Sequence, residues 1–135
     1  MNEIVVALAR WALGSYLIWN AANHYKNLEA LTGYVTYKGM SYARELVIVA
    51  GVMLGVTGLS VLGLLVPGWV GAITAVLFFV PVSIKMHDYW SIHVPIPSPN
   101  NAEEAAETTR YRQMEQIQFT KNLAILAGLL VVLLA

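Results

Sequence analysis

Four short polar stretches in an otherwise apolar chain hold the side chains that could bind a ligand or move a proton. Asn20, Asn23 and His24 stand three and four residues apart, so one helical face would carry all three. Tyr42, Arg44 and Glu45 precede a long apolar run, Lys85, His87, Asp88, Tyr89 and Trp90 follow another, and Lys121 and Asn122 open a third. From these we take Asn23, His24, Glu45, His87, Lys121 and Asn122 as the candidate ligand-binding set. Their amide, imidazole and ammonium groups suit a polar headgroup rich in acceptors. The same residue types also anchor spans at a membrane surface, reaching outward to lipid headgroups. Glu45 has two uses as well: it could partner His24, Lys121 or a ligand hydroxyl, or it could offset the positive end of a helix dipole. His24 and His87 are weak candidates for haem or metal ligands, with Asp88 and His93 nearby in the loop. No within-helix spacing supplies a third ligand, and the expectation is no metal site. Catalytic residues are not identifiable: no Ser or Thr has a local His/Asp arrangement.

Whether the polar stretches meet depends on the elements that carry them. Charged residues are 12% and apolar residues 58% of the 135-residue chain, against about 25% and 45–50% in soluble domains. The excess is gathered in blocks, at residues 4–22, 43–66, 69–86 and 112–135. A spanning helix takes about 20 apolar residues, so the fold class expected is all-α, an integral membrane four-helix bundle forming one domain over 1–135. The fourth helix extends backwards by periodicity to about residue 102, with Asn101 and Glu104 spaced as a capping box. At about 1.5 Å per residue it would be roughly 50 Å long, and its first part should protrude into water or lie along the interface. The first block lacks the basic leader of a secretory signal and reads as a retained helix. Eight basic and eight acidic residues balance, which gives no nucleic-acid footprint. Cysteine is absent, so thiol and cysteine-ligated iron–sulfur chemistry are excluded within this chain.

Connections set the topology. Val66, Pro67 and Gly68 form a tight turn between the second and third spans, whereas residues 23–42 and 87–101 are long loops. Four spans place both long loops on one face, where the ends of all four helices would gather their polar residues. Lys26, Lys38, Arg44, Lys85, Arg110, Arg112 and Lys121 lie on or beside that face, so the positive-inside rule assigns it to the cytoplasm. Gly51, Gly55 and Gly58 give the second span a small-residue strip, expected to pack on the third span opposite Gly71 and Ala75. Arg10 should snorkel or pair with Glu3, and Pro81 should kink the third span.

Several segments resemble the DoxX family of small membrane proteins. Residues Arg10 to Gly14 are similar to its opening arginine helix. The run from Glu45 to Gly55 resembles its second helix, with a glutamate ahead of spaced glycines. His87 falls where many members have a histidine, and Phe119 to Ala124 is similar to the start of its fourth helix. Asn23 and His24 replace the more usual glycine-to-lysine ending of helix one. The resemblance implies a four-helix membrane fold in a prokaryotic cytoplasmic membrane. It also implies association with a quinone-linked oxidoreductase, with a quinone as the ligand and other membrane subunits as partners. The alternative is a non-catalytic structural or assembly subunit of a larger complex.

Overall fold

The computed structural model describes residues 2–135, and its regular elements are all helical. In chain order they are α1 (Glu3–Lys26), α2 (Leu28–Tyr37), α3 (Ala43–Val61), α4 (Gly68–Met86), a single 3-10 turn (Tyr89–Ser91) and α5 (Ala102–Leu134). α1, α3, α4 and α5 are each long and apolar enough to cross a membrane. The chain is a multi-pass membrane protein built as a four-helix bundle.

Side-chain spacing decides which faces meet. Gly14, Leu17 and Ala21 make the buried stripe of α1; Val47, Gly51, Leu54, Gly58 and Val61 make that of α3. α5 contributes Leu126, Leu129 and Leu133, and α4 contributes Ala75, Phe78 and Phe79, to one continuous core. Between spans in lipid, close packing and interhelical hydrogen bonds replace the hydrophobic drive of a soluble core. The glycine strip of α3 therefore matters, but its partner is α1 rather than α4 as residue patterning suggests. A methyl group on Gly58 would lie 2.9 Å from Ile18 Cδ1 and 3.1 Å from the Gly14 carbonyl, one on Gly51 would meet the Tyr25 ring, and one on Gly55 faces Ala21. The α3–α4 contact is instead polar in part: Thr57 Oγ1 lies 2.8 Å from Thr74 Oγ1, and Ser60 Oγ donates to the Pro67 carbonyl at 2.9 Å.

Four sequence expectations about boundaries and pairs are corrected. The second span ends at Val61, not residue 66, because Gly63 takes a left-handed φ of 74°. There the Gly63 and Leu64 amides donate back to the Ser60 and Leu59 carbonyls and close the helix. The first long loop is not irregular: it holds α2, whose Leu28, Leu31 and Val35 pack on Ala43, Val47 and Met86. Asn101 does not form the capping box; its Oδ1 accepts from the Ser98 amide and hydroxyl, shaping the turn before α5. Among the described residues, Arg10 pairs with no acid. Its guanidinium donates to the Val61 carbonyl at 3.2 Å and the Val132 carbonyl at 2.8 Å, satisfying the orphan ends of α3 and α5.

The two long loops share a face, opposite the short turn. Tyr34 of α2 reaches Glu115 of α5, and Lys38 beyond α2 reaches Asp88 beyond α4. Pro81 stands inside α4, which continues through it to Met86.

Candidate functional site

Beneath α2, the four spans line a partly open cavity of about 500 Å³. Leu17, Val47, Leu54, Phe78, Phe79 and Met53 form apolar walls, while Asn20, His24, Lys85, His87, Gln118, Lys121 and Asn122 supply polar groups. Space of this size, mostly apolar with a few convergent polar groups, is typical of small-molecule sites.

Four of the six candidate residues come together here: His24, His87, Lys121 and Asn122 line the cavity. Asn122 is buried at 7% exposure on a helix that is otherwise apolar from this point onward. Lys121 sits exposed at the edge, its ammonium on Gln118 Oε1. His24 Nδ1 lies 2.9 Å from the Asn20 carbonyl one turn earlier, and its ring meets Phe78 edge-on. Two candidates fall away from the cavity. Asn23 accepts from Asn27 Nδ2 at 2.7 Å, serving the end of α1. Glu45 is exposed in the first turn of α3, where the helix dipole accounts for it. Among the described residues no three His, Cys, Asp or Glu side chains gather as a metal set, so His24 and His87 do not extend to a ligand cluster.

The most heavily built polar group in the molecule is one that residue type alone did not single out. Glu115 of α5 is 7% exposed, and it accepts from the Tyr34 hydroxyl at 2.8 Å on Oε1. Its Oε2 lies 2.9 Å from His87 Nδ1. The Tyr34 oxygen also lies 3.2 Å from the Tyr111 hydroxyl. Burial, then the hydrogen bonds to Tyr111 and Glu115, raise the Tyr34 pKa far above the ordinary phenol value, so this hydroxyl stays a donor. A carboxylate enclosed by apolar surroundings is costly unless paired, and two donors from two other elements meet that cost. A signal for it existed. Tyr111, Glu115, Gln118 and Asn122 recur at spacings of four, three and four, so they form one stripe that runs into the buried Leu126, Leu129 and Leu133.

A second pair fastens the loops above the cavity. Lys38 Nζ lies 2.8 Å from Asp88 Oδ1 and close to the rings of Tyr34 and Tyr111. Burial works against charge on Lys38, but its bonds to Asp88 and Tyr111 outweigh it and raise the pKa. Burial likewise opposes charge on Asp88, and the bonds from Lys38 and Ser91 outweigh it and lower the pKa. Next to this pair, Tyr89 and Trp90 pack edge-on against Phe119, and Arg112 donates to the Tyr89 carbonyl at 3.2 Å.

No family model, curated protein or solved structure matches the chain.

Proposed function

We propose that this chain is a small membrane subunit, related to the DoxX family, that holds a quinone for a quinone-linked oxidoreductase. The observation that carries the reading is the cavity of about 500 Å³, with apolar walls and with His24, His87 and Asn122 among its lining side chains. A quinone is an apolar ring and tail bearing two polar oxygens, which matches walls and polar groups of this kind. The chain has no cysteine, so electrons would pass through the quinone and the cofactors of a partner subunit. We place the protein in a prokaryotic cytoplasmic membrane, with the long-loop face and its Lys and Arg residues in the cytoplasm.

The test is direct. Protein purified from its native membrane in mild detergent should carry quinone in its lipid extract, and a short-tailed benzoquinone should raise its melting temperature saturably. A ligand at 100 times its Kd stabilises by about 2.7 kcal/mol, well within detection. An extract free of quinone, together with unchanged melting and Trp fluorescence, overturns the reading.

One observation favours a second reading, a non-catalytic assembly subunit. Ile4, Leu8, Trp11 and Trp19 form an outward apolar stripe on α1, each more than 60% exposed. On this reading the stripe meets a larger partner, and His24→Leu leaves the host complex both assembled and active. Activity lost from an assembled complex returns the argument to the cavity.

A further inference from the structure

From the hydrogen bonds at the two cavity histidines, we infer that the site takes the hydroquinone form of its ligand in preference to the quinone. The inference rests on the cavity being a quinone-class site. Residue type alone makes His24 and His87 donors; their tautomers make them acceptors. A neutral imidazole carries one proton, and the nitrogen that bears it is set by what the other ring nitrogen faces. At His24, Nδ1 lies 2.9 Å from the Asn20 carbonyl, which can only accept, so Nδ1 holds the hydrogen. At His87, Nδ1 lies 2.9 Å from a Glu115 carboxylate oxygen, while the other oxygen already receives the Tyr34 hydroxyl. The carboxylate therefore accepts from both, and Nδ1 again holds the hydrogen.

Each ring is left with Nε2 as a lone pair. Both residues line the same cavity, from α1 on one side and from the end of α4 on the other. A ring with two hydroxyl groups can donate to both nitrogens; a quinone carbonyl presents lone pair to lone pair. The cationic groups at the cavity do not reverse this preference. Lys85 and Lys121 are exposed at the edge, and the Lys121 ammonium already donates to Gln118 Oε1. Asn122 can donate or accept and so serves either form. Tyr34 has spent its only hydrogen on Glu115.

The experiment is an anaerobic binding titration near neutral pH, on the full chain in lipid nanodiscs, with three probes of one shape. They are a decyl-tailed benzoquinone, its hydroquinone and the dimethyl ether of that hydroquinone. The hydroquinone should bind about 25-fold tighter than the quinone, since each of the two added neutral hydrogen bonds is worth roughly a fivefold gain. The dimethyl ether, which has the oxygens without the hydrogens, should bind no tighter than the quinone. His24→Leu should reduce the preference to about fivefold. That variant removes a bond within α1 and the edge-on contact with Phe78, and its melting curve reports whether the fold is kept. His87→Leu, which removes the acceptor nitrogen and whose melting curve is read in the same way, provides the second reading of the same quantity. Quinone binding as tightly as hydroquinone, or a preference that survives both substitutions, overturns the inference while leaving the cavity a quinone site. If none of the three probes binds, the proposed function fails with it.

Discussion

Asp88 and Lys38 show how single residues set the condition of the face above the cavity. Asp88 has a lowered pKa in the folded chain, so its stabilising share is complete above the unfolded carboxylate value of about 3.9. That share fades as pH falls through the lower folded value. Lys38 has a raised pKa, so its share is complete below about 10.4 and fades only as pH climbs through the higher folded value. Between those limits the pair closes the gap between the long loops at 2.8 Å. Asp88→Asn should lower stability by about 1 kcal/mol near neutral pH, the upper part of the range for pairs that keep some contact with water. Thermal melting at pH 7 and at stepwise lower pH checks the sign: the wild-type advantage should be clear at pH 7 and shrink as pH falls below about 3.9. An advantage independent of pH would mean that Asp88 acts through packing. Glu115 carries the opposite lesson about legibility. As one more acid in a charged stretch it has no mark, and only its place on the stripe with Tyr111 and Asn122 indicates burial.

At the scale of elements, close approach of α1 and α3 is what brings His24 and α3 to one cavity. The Gly14 and Gly58 backbones nearly touch, since a methyl on either would stand 3.1–3.2 Å from the carbonyl of the other. A carbonyl cannot swing aside as a side chain can. Gly58→Ala should therefore cost about 1–3 kcal/mol by overpacking. Gly55→Ala should be neutral or slightly stabilising, because its methyl lies at an ordinary 3.8 Å from Ala21 Cβ and alanine favours helix. Denaturation of the two variants in the same detergent separates them; equal losses would contradict the α1–α3 contact. The spans themselves were plain from apolar length, and the glycine strip from spacing. Its partner was not, because a tight turn makes α3 and α4 neighbours without saying which face of α3 each helix takes. α2 was overlooked for a different reason. Ten residues are too short to stand out by hydropathy, although Leu28, Leu31 and Val35 already had helical spacing.

For the whole molecule, the arrangement stands or falls on which ends share a leaflet. The long-loop end is bound together by Tyr34 on Glu115 and Lys38 on Asp88, and the other end by Arg10 on the last carbonyls of α3 and α5. These two sets of bonds connect residues up to 122 positions apart, so they define the bundle more strictly than any local turn does. The chain offers a clean way to test them, since it contains no cysteine to remove. Single cysteines at Tyr37, Ile96 and Leu65 occupy exposed positions, 74%, 87% and 97% accessible. With a membrane-impermeant maleimide on sealed vesicles, Tyr37→Cys and Ile96→Cys should label from one side and Leu65→Cys only from the other. Labelling of the first two from opposite sides would separate α2 from the loop after α4, and the roof over the cavity would not exist. If all three follow the expected pattern, the side that labels Tyr37→Cys also fixes the membrane face at which the polar end of the cavity lies. That side should be the cytoplasm if the excess of Lys and Arg near the long loops governs insertion.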